Sequence, residues 1–270
     1  MEEQRGEGRT LPMNKPLMSA QGLVKDYGAV RVVDGVSLTI ARGETLGLVG
    51  ESGSGKSTVA RMMLRLVEPS AGTVTFDGMD VLAARPRELR LMRRRMQMVF
   101  QDPYAALNPK MRVRQIVGEP FAIQGGFTRD EVRARVSELL REVGLETDVL
   151  ERYPHEFSGG QRQRINIARA LALKPEFLAL DEPVSALDVS VGAQVINLLK
   201  DLQRKYGLTY LFISHSMPLV RYLCDRVAVM ERGRLVEVGD VLEVCERPRE
   251  AYTQKLIAAT PRMPGEQAAK

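Results

Sequence analysis

The sequence has little cysteine, few aromatic residues and no tryptophan. Its 270 residues include two cysteines, Cys224 and Cys245. They are too few for a disulfide framework or a four-thiolate metal cluster, which indicates a reducing compartment. Aromatic residues make up 5% of the chain. A surface that binds nucleic acid by stacking its bases is therefore not expected.

Long apolar segments are also absent. No run of about 18 apolar residues occurs, so the chain is not expected to cross a membrane by itself. Residues 1–18 are largely polar and lack the apolar core of a secretory signal, and we expect them to form a tail, as does the stretch 259–270. The net charge, 39 − 34 = +5, suits a phosphate ligand, anionic lipid or nucleic acid without choosing among them.

Between these tails, short strand-like runs alternate with helical periodicity. Alternation of this kind predicts a mostly parallel sheet covered by helices. Helical patterns follow one another over about residues 102–172, which predicts a helical insertion, and Thr128 and Glu131 form a capping box within it. The predicted strands are 73–76, 97–100, 177–180 and 209–214, after shorter strand-like runs between residues 23 and 49.

The segment Gly50–Ser57, Gly-Glu-Ser-Gly-Ser-Gly-Lys-Ser, lies between an apolar strand pattern and an amphipathic helix pattern. This context is typical of a phosphate-binding loop, because glycines let backbone N–H groups turn toward the phosphates at a helix N-terminus. Lys56 then supplies a charge beside the β- and γ-phosphates, and Ser57 supplies a hydroxyl ligand for Mg²⁺. The alternative is an ordinary Gly/Ser turn before a helix.

A second apolar run ends in two consecutive carboxylates, Asp181 and Glu182. Carboxylates at the end of a buried strand are costly unless they meet cations or water. Ligands of open α/β sheets bind outside the carboxyl ends of the strands. We interpret Asp181 as a Mg²⁺ ligand and Glu182 as the residue that polarises the attacking water. Without the phosphate loop, such a pair would indicate only a solvated turn.

A third motif, Ser158-Gly159-Gly160-Gln161, precedes a helical pattern. Ser158 can cap that helix, and the glycines expose N–H donors that can receive an anion. Two interpretations stay open at this point. The segment is either an ordinary capped helix or half of a site that another chain completes.

Together the motifs resemble the nucleotide-binding subunit of an ATP-binding-cassette transporter. The resemblance covers residues from about 19 to 258, and residues 99–109 and 153–161 most resemble the oligopeptide and dipeptide importer branch. It implies an α/β P-loop nucleotide-binding domain with a mostly parallel sheet core, an antiparallel β-subdomain and an inserted α-helical subdomain. The motifs occur in the order Gly50–Ser57, Phe100–Pro103, Ser158–Gln161, Leu180–Pro183, Ser185–Asp188 and Ser214-His215.

The resemblance implies a role for each matching residue. Tyr27 matches the aromatic residue that stacks on adenine, and Gln101 matches the residue that touches the Mg²⁺ site and relays its state to the membrane subunits. His215 would contact the γ-phosphate, Asp188 would lie at the subunit interface, and His155 is interpreted as structural. The implied ATP-binding residues are Tyr27, Gly50, Glu51, Ser52, Gly53, Ser54, Gly55, Lys56, Ser57 and Thr58; the catalytic residues are Glu182, His215 and Gln101; the Mg²⁺ ligands are Ser57, Gln101 and Asp181; and the residues that would contact the ATP of a partner subunit are Ser158, Gly159, Gly160 and Gln161.

The sequence departs from the family pattern after His215, where Ser216-Met217-Pro218 replace the usual Asp-Leu and leave the start of the local helix open. An arginine run is a further feature without an implied role. It could bind nucleic acid through its phosphates, or it could be a solvated helix face near lipid headgroups or a partner subunit. Its members are Arg85, Arg87, Arg90, Arg93, Arg94 and Arg95.

The function that the resemblance implies is that of a peripheral ATPase subunit on the cytoplasmic face of the inner membrane, with ATP and Mg²⁺ as cofactors and peptides as the leading substrate. Its implied partners are two integral membrane permease subunits, a second ATPase subunit, identical or homologous, and indirectly an extracytoplasmic solute-binding protein. No nucleic acid is expected. One alternative is a soluble cassette ATPase acting on nucleic acid or ribosomes, which usually has two cassettes, coiled-coil arms or zinc cysteine pairs. Another is a binding-only regulatory subunit, against which Glu182 and His215 argue.

The proposed stacking of Tyr27 on adenine leads to a first prediction. Tyr27→Ala should weaken ATP and ADP by a similar factor, about 5- to 150-fold, because the contact would not involve the γ-phosphate. Isothermal titration with each nucleotide measures both affinities. Unchanged affinities would contradict the adenine role.

Overall fold

Two β-sheets and a set of helices make up residues 15–259, the part of the chain that this computed structural model describes. Two 3₁₀ turns, Thr147–Glu151 and Pro154–Glu156, lie just before the helix that begins at Gly159. The strands are β1 (Met18–Tyr27), β2 (Val30–Ile40), β3 (Thr45–Val49), β4 (Ala71–Phe76), β5 (Met79–Asp80), β6 (Met96–Val99), β7 (Phe177–Asp181), β8 (Thr209–Ser214), β9 (Arg226–Glu231) and β10 (Arg234–Asp240). The helices are α1 (Lys56–Met63), α2 (Pro86–Arg95), α3 (Pro103–Ala106), α4 (Val113–Gln124), α5 (Arg129–Glu142), α6 (Gly159–Leu171), α7 (Val189–Tyr206), α8 (Met217–Leu223), α9 (Val241–Glu246) and α10 (Ala251–Ala258).

The larger sheet has the strand order β10-β9-β3-β8-β7-β6. The pairs from β9 to β6 are parallel, and β10 joins the edge antiparallel to β9. Every residue of β3, β7 and β8 is buried, as expected for strands that helices cover on both faces. The mostly parallel sheet core is therefore confirmed.

The smaller sheet is antiparallel, with the order β2-β1-β4-β5, and it confirms the predicted antiparallel β-subdomain. Its apolar face shares a core with α1, in which Leu23, Val59 and Phe76 are each fully buried. This core also covers part of the parallel sheet, including Leu46 and Leu48 of β3. The two sheets are thus joined around the strand that leads into the phosphate loop.

The predicted polar tail over 1–18 ends too late. Leu17 and Met18 are 1% and 0% exposed, and Met18 pairs with Ile40 of β2 and Phe76 of β4. Two apolar residues after a polar stretch form too short a run to predict a strand, and their pairing partners are distant in sequence. Residues 1–14 and 260–270, most of the two predicted tails, lie outside the described residues.

Between β6 and β7 the chain forms helices without a strand, as the predicted helical insertion requires. The capping box at the start of α5 is present, with Thr128 N donating to Glu131 Oε2 at 2.7 Å and Glu131 N donating to Thr128 Oγ1 at 3.3 Å. After β8, α8 begins at Met217 with Pro218 in its first turn. Within residues 15–259 no helix is both long enough and apolar enough to cross a membrane.

A cluster of four charged residues connects the segments around both sheets. Arg42 and Arg95 each form ion pairs with Asp77, at 3.1 and 2.6 Å, and both also pair with Glu176. The hydrogen bond from Arg95 lowers the pKa of Glu176, and the bond from Arg42 adds to the effect. Glu176 is therefore more stable as a carboxylate in the folded state than in the unfolded chain.

This cluster predicts a pH-dependent contribution to stability. Glu176→Gln should lower the free energy of unfolding at pH 7 by about 1 kcal/mol, the upper range for partly exposed pairs. Because the folded-state pKa of Glu176 is lowered, the contribution is complete above the ordinary value of 4.5 and is lost as the pH falls through the folded-state pKa. Urea unfolding at several pH values measures it, with Glu138→Gln as an exposed control. An equal loss at all pH values would contradict the assignment.

Candidate functional site

The loop between β3 and α1 has a backbone that requires glycine at particular positions. Gly50 has φ 151° and Gly55 has φ 104°. A Cβ atom on Gly50 would lie 2.1 Å from the carbonyl oxygen of Met230, and one on Gly55 would lie 2.7 Å from that of Val32. Strands β2 and β9 thus pack closely against the outside of the loop and leave no room for a Cβ atom at these two positions. The strand–loop–helix order is the one that the sequence predicts for a phosphate loop.

Lys56 lies inside this loop and is 5% exposed. Its Nζ donates to the carbonyl oxygens of Gly50 at 2.9 Å and Glu51 at 2.7 Å. Burial lowers the pKa of Lys56, and the nearby carboxylates of Glu182 and Asp181 oppose that shift. The loop therefore holds a partly desolvated cation at the N-terminus of α1, an arrangement that favours an anionic ligand.

Asp181 ends β7 beside this cation and is 1% exposed. Ser57 Oγ donates to Asp181 Oδ1 at 2.7 Å, whereas Oδ2 is buried without a hydrogen-bond partner in the described part of the chain. Arg61 Nη2 lies 3.9 Å from Oδ2. Burial raises the pKa of Asp181. A buried carboxylate oxygen with an unmet acceptor next to a serine hydroxyl fits a hard divalent cation such as Mg²⁺.

Glu182 brings the three predicted catalytic residues together. Its Oε2 accepts a hydrogen bond from Gln101 Nε2 at 3.2 Å and lies 3.3 Å from His215 Nδ1. The backbone of Glu182 is left-handed, with φ 43°, and such a conformation costs a residue other than glycine about 1–2 kcal/mol. The chain therefore turns away from the direction of β7 immediately after Asp181.

A cleft of about 610 Å³ is lined by Lys56, Ser57 and Glu182, and Asp181 lies behind Ser57. Its lining residues are Val32, Gly50, Glu51, Ser52, Gly53, Gly55, Lys56, Ser57, Thr58, Gln101, Glu182, His215 and Leu256. Most of the predicted ATP-binding residues and all three predicted catalytic residues therefore lie around one space. Tyr27 does not line the cleft; it is 51% exposed at the end of β1, with Lys25 Nζ 4.9 Å from its ring centroid. Its contact with adenine stays a prediction.

The Ser158–Gln161 segment forms a different surface. Ser158 caps α6, with Gln161 N donating to Ser158 Oγ at 3.3 Å, and Asp188 caps α7 by accepting from Val191 N at 2.9 Å. The two helix starts are in contact, since a Cβ on Gly160 would lie 2.2 Å from Val191 Cγ1. None of these residues lines the Lys56 cleft. Their contact with the ATP of a partner stays a prediction.

The structure adds residues that sequence reasoning missed. Tyr252 Oη, from α10, accepts a hydrogen bond from the backbone N–H of Glu51 at 3.1 Å. Val32 and Leu256 add apolar surface to the cleft. These residues are distant from the phosphate loop in the sequence, and no local pattern connects them with it.

A family model described as "ABC transporter" matches residues 33–185. The chain belongs to the ABC transporter family. A putative peptide import ATP-binding protein of Brucella ovis is 53% identical over 250 residues, which are 91% of this chain and 79% of that protein. The oligopeptide transport ATP-binding protein OppF of Bacillus subtilis is 53% identical over 243 residues, 89% of this chain and 80% of that protein.

A solved structure shows the same cassette fold. The ATP-binding cassette MJ0796, a dimer in a post-hydrolysis state bound to ADP and Pi, has a TM-score of 0.75 and 30% sequence identity, covering 83% of this chain and 98% of that chain. The present ABC protein is accordingly an ATP-binding subunit that hydrolyses ATP. Its P-loop fold class, predicted from the sequence, is confirmed.

The glycine geometry of this ABC subunit predicts that two loop glycines differ in their tolerance of alanine. Gly50→Ala should abolish measurable ATP binding, because its Cβ would collide with the backbone of β9. Gly53→Ala should cost only the left-handed conformation, about 1–2 kcal/mol, because no atom lies within 4 Å of its Cβ position. Nucleotide titration, with circular dichroism as a check on folding, separates them. Equal loss in both variants would contradict the steric explanation.

Proposed function

We propose that this protein is the ATPase subunit of a peptide importer and that it hydrolyses Mg-ATP at sites shared by two subunits. The observation that carries the proposal is that Lys56 and Glu182 line one cleft, with Asp181 buried next to it through its hydrogen bond from Ser57 of the same lining. Lys56 is a cation among carbonyls, Asp181 has an unmet acceptor, and Glu182 stands between Gln101 and His215. The names of the relatives, which refer to peptide import and to oligopeptide transport, support the substrate class.

Binding of the nucleotide follows from the loop. Lys56 and the N-terminus of α1 favour the negative charge of the β- and γ-phosphates. Ser57 and Asp181 would hold Mg²⁺, with Gln101 at the edge of the same cleft. When bound, the ion supplies neutralisation of charge on the phosphate oxygens. Oδ2 of Asp181, which accepts no hydrogen bond within residues 15–259, is the acceptor best suited to the ion or to a water molecule that it binds.

Glu182 is the base of the proposed reaction. Gln101 and His215 both contact its Oε2, so these two residues fix the orientation of the carboxylate. Its other oxygen, Oε1, makes no such contact within the described residues and would accept a proton from the attacking water. The left-handed turn at Glu182 directs this side chain into the cleft instead of along β7.

The second surface supports a shared site. Ser158 and Gln161 are exposed at the start of α6, as is Asp188 at the start of α7. A second chain packed with the opposite orientation would place the backbone N–H groups at the start of α6 against the γ-phosphate bound at Lys56 of the first chain. The dimeric state of the related cassette supports this arrangement. Between the two interpretations of Ser158–Gln161, we favour the half-site, with the capped helix as its scaffold.

In the importer, this chain would contact two integral membrane permease subunits and a second ATPase subunit, identical or homologous. It would lie on the cytoplasmic face of the inner membrane and serve an extracytoplasmic solute-binding protein indirectly. The names of the relatives, one of peptide import and one of oligopeptide transport, support this assembly over the nucleic-acid alternative.

The arginine run also has partners within the chain, since Arg85 pairs with Glu88 and Arg95 belongs to the ion-pair cluster.

The comparison of two variants tests the proposal. Lys56→Ala should abolish nucleotide binding and hydrolysis together, because it removes the charge beside the phosphates. Glu182→Gln should keep most of the affinity but lose about 10²–10⁴ in rate, the usual contribution of a positioned acid–base group. Because ATP then stays bound between two chains, this variant should accumulate as a dimer in Mg-ATP, visible by size-exclusion chromatography. A monomeric Glu182→Gln protein with wild-type turnover would refute both the base and the shared site.

A further inference from the structure

One face of α6 is polar although it is buried. Arg162, Asn166 and Arg169 are spaced by four and three residues, so they lie on the same side of the helix. Arg162 and Asn166 are 7% and 0% exposed. Burial lowers the pKa of Arg169. Polar side chains that are buried or half-buried need partners, and each of these three has a partner in one short segment.

That segment is 100–106, which contains Gln101. The guanidinium carbon of Arg162 lies 3.7 Å from the centroid of the Tyr104 ring. Asn166 Nδ2 donates to the carbonyl oxygen of Phe100 at 3.4 Å, and Arg169 Nη1 donates to that of Ala106 at 2.7 Å. The polar face of α6 therefore contacts the segment on both sides of Gln101.

The same face is connected to the start of α6. Arg162 Nε donates to the carbonyl oxygen of Pro154 at 2.6 Å, in the turn that leads into the helix. Arg162 Nη1 is buried without a hydrogen-bond partner within the described residues. The Tyr104 ring therefore stabilises this part of the guanidinium charge through a cation–π contact. Ser158, which caps the helix, is one turn away from Arg162.

We propose that Arg162, Asn166 and Arg169 are positioning residues that couple each subunit's own ATP site to the Ser158 surface it offers to its partner. The contacts run from Glu182 to Gln101, along 100–106 to Arg162, and from the backbone N–H of Arg162 to the carbonyl oxygen of Ser158. This inference rests on the proposed function, because the Ser158 surface matters only where two chains share a site. The helix acts as a rigid connection, so a shift of the Gln101 segment moves the half-site.

Tyr104 is the side chain best suited to a test, because it is 63% exposed and contributes little to the core. Tyr104→Ala removes the ring from Arg162, whereas Tyr104→Phe keeps it. Both changes are made in the Glu182→Gln protein, and the dissociation constant of its Mg-ATP dimer is measured by analytical ultracentrifugation. Tyr104→Ala should raise that constant about 2- to 30-fold, the range for a cation–π contact from exposed to desolvated. Tyr104→Phe should stay within about twofold of the parent, since the ring remains.

Arg164 provides a matched control on another face of α6, where it donates to the carbonyl oxygen of Val143 at 2.7 Å. Arg164→Gln should leave the dimer constant unchanged. The affinity of each single chain for ADP should also be unchanged in all variants, because the phosphate loop is intact. That readout distinguishes coupling from local unfolding.

The outcomes separate the two claims. If the Glu182→Gln parent dimerises and Tyr104→Ala dimerises equally well, the coupling is overturned and the proposed function stands. The coupling is also overturned if Tyr104→Phe loses as much as Tyr104→Ala, or if ADP affinity falls in parallel. A parent that does not dimerise in Mg-ATP overturns the shared site and the coupling with it.

Discussion

The parallel pairing of β3, β8, β7 and β6 is the constraint on which the site depends. In this order the strands are neighbours, and just beyond their carboxyl ends lie Lys56, His215, Glu182 and Gln101. The register aligns those ends, since Val49 pairs with Ser214 and Asp181 with Ile213. Four segments that are distant in the sequence thereby meet at one edge of the sheet. Everything that the cleft does chemically follows from that alignment.

The same edge is where the fold tolerates unfavourable groups. Lys56 and Asp181 are nearly buried with their pKa values shifted toward the neutral forms, and Glu182 has a left-handed backbone. A core selected only for stability would avoid all three. Lys56 and Asp181 would become favourable with a polyphosphate and its cation bound, because the ligand charges would supply the missing partners. The free-energy cost of these groups in the unliganded protein would therefore be offset when the nucleotide binds.

How much of this could be predicted depended on how local the signal was. The phosphate loop, the Asp181-Glu182 strand end and the cap of α5 are each written in a few adjacent residues, and the structure places them as local chemistry requires. The burial of Leu17 and Met18 and the contact of Tyr252 with the loop depend on partners far away in the chain. Periodicity carries no information about such pairings. The burial of the polar face of α6 could not be predicted either, because in the sequence its arginines resemble the solvated face of an ordinary helix.

Helix α6 combines two roles that place opposite demands on its exposure. In the proposed two-chain site its start at Ser158 and Gln161 must be exposed, since the N–H groups there would serve a ligand bound to another chain. Its middle must be firmly held, because a loosely packed helix would place those groups imprecisely, and precision in the transition state is what catalysis requires. Polar contacts with the Gln101 segment resolve the conflict, because directional bonds fix a helix against sliding better than apolar packing alone. In the proposed coupling, the residues that hold α6 in place therefore also connect its position to the state of the same chain's ATP site.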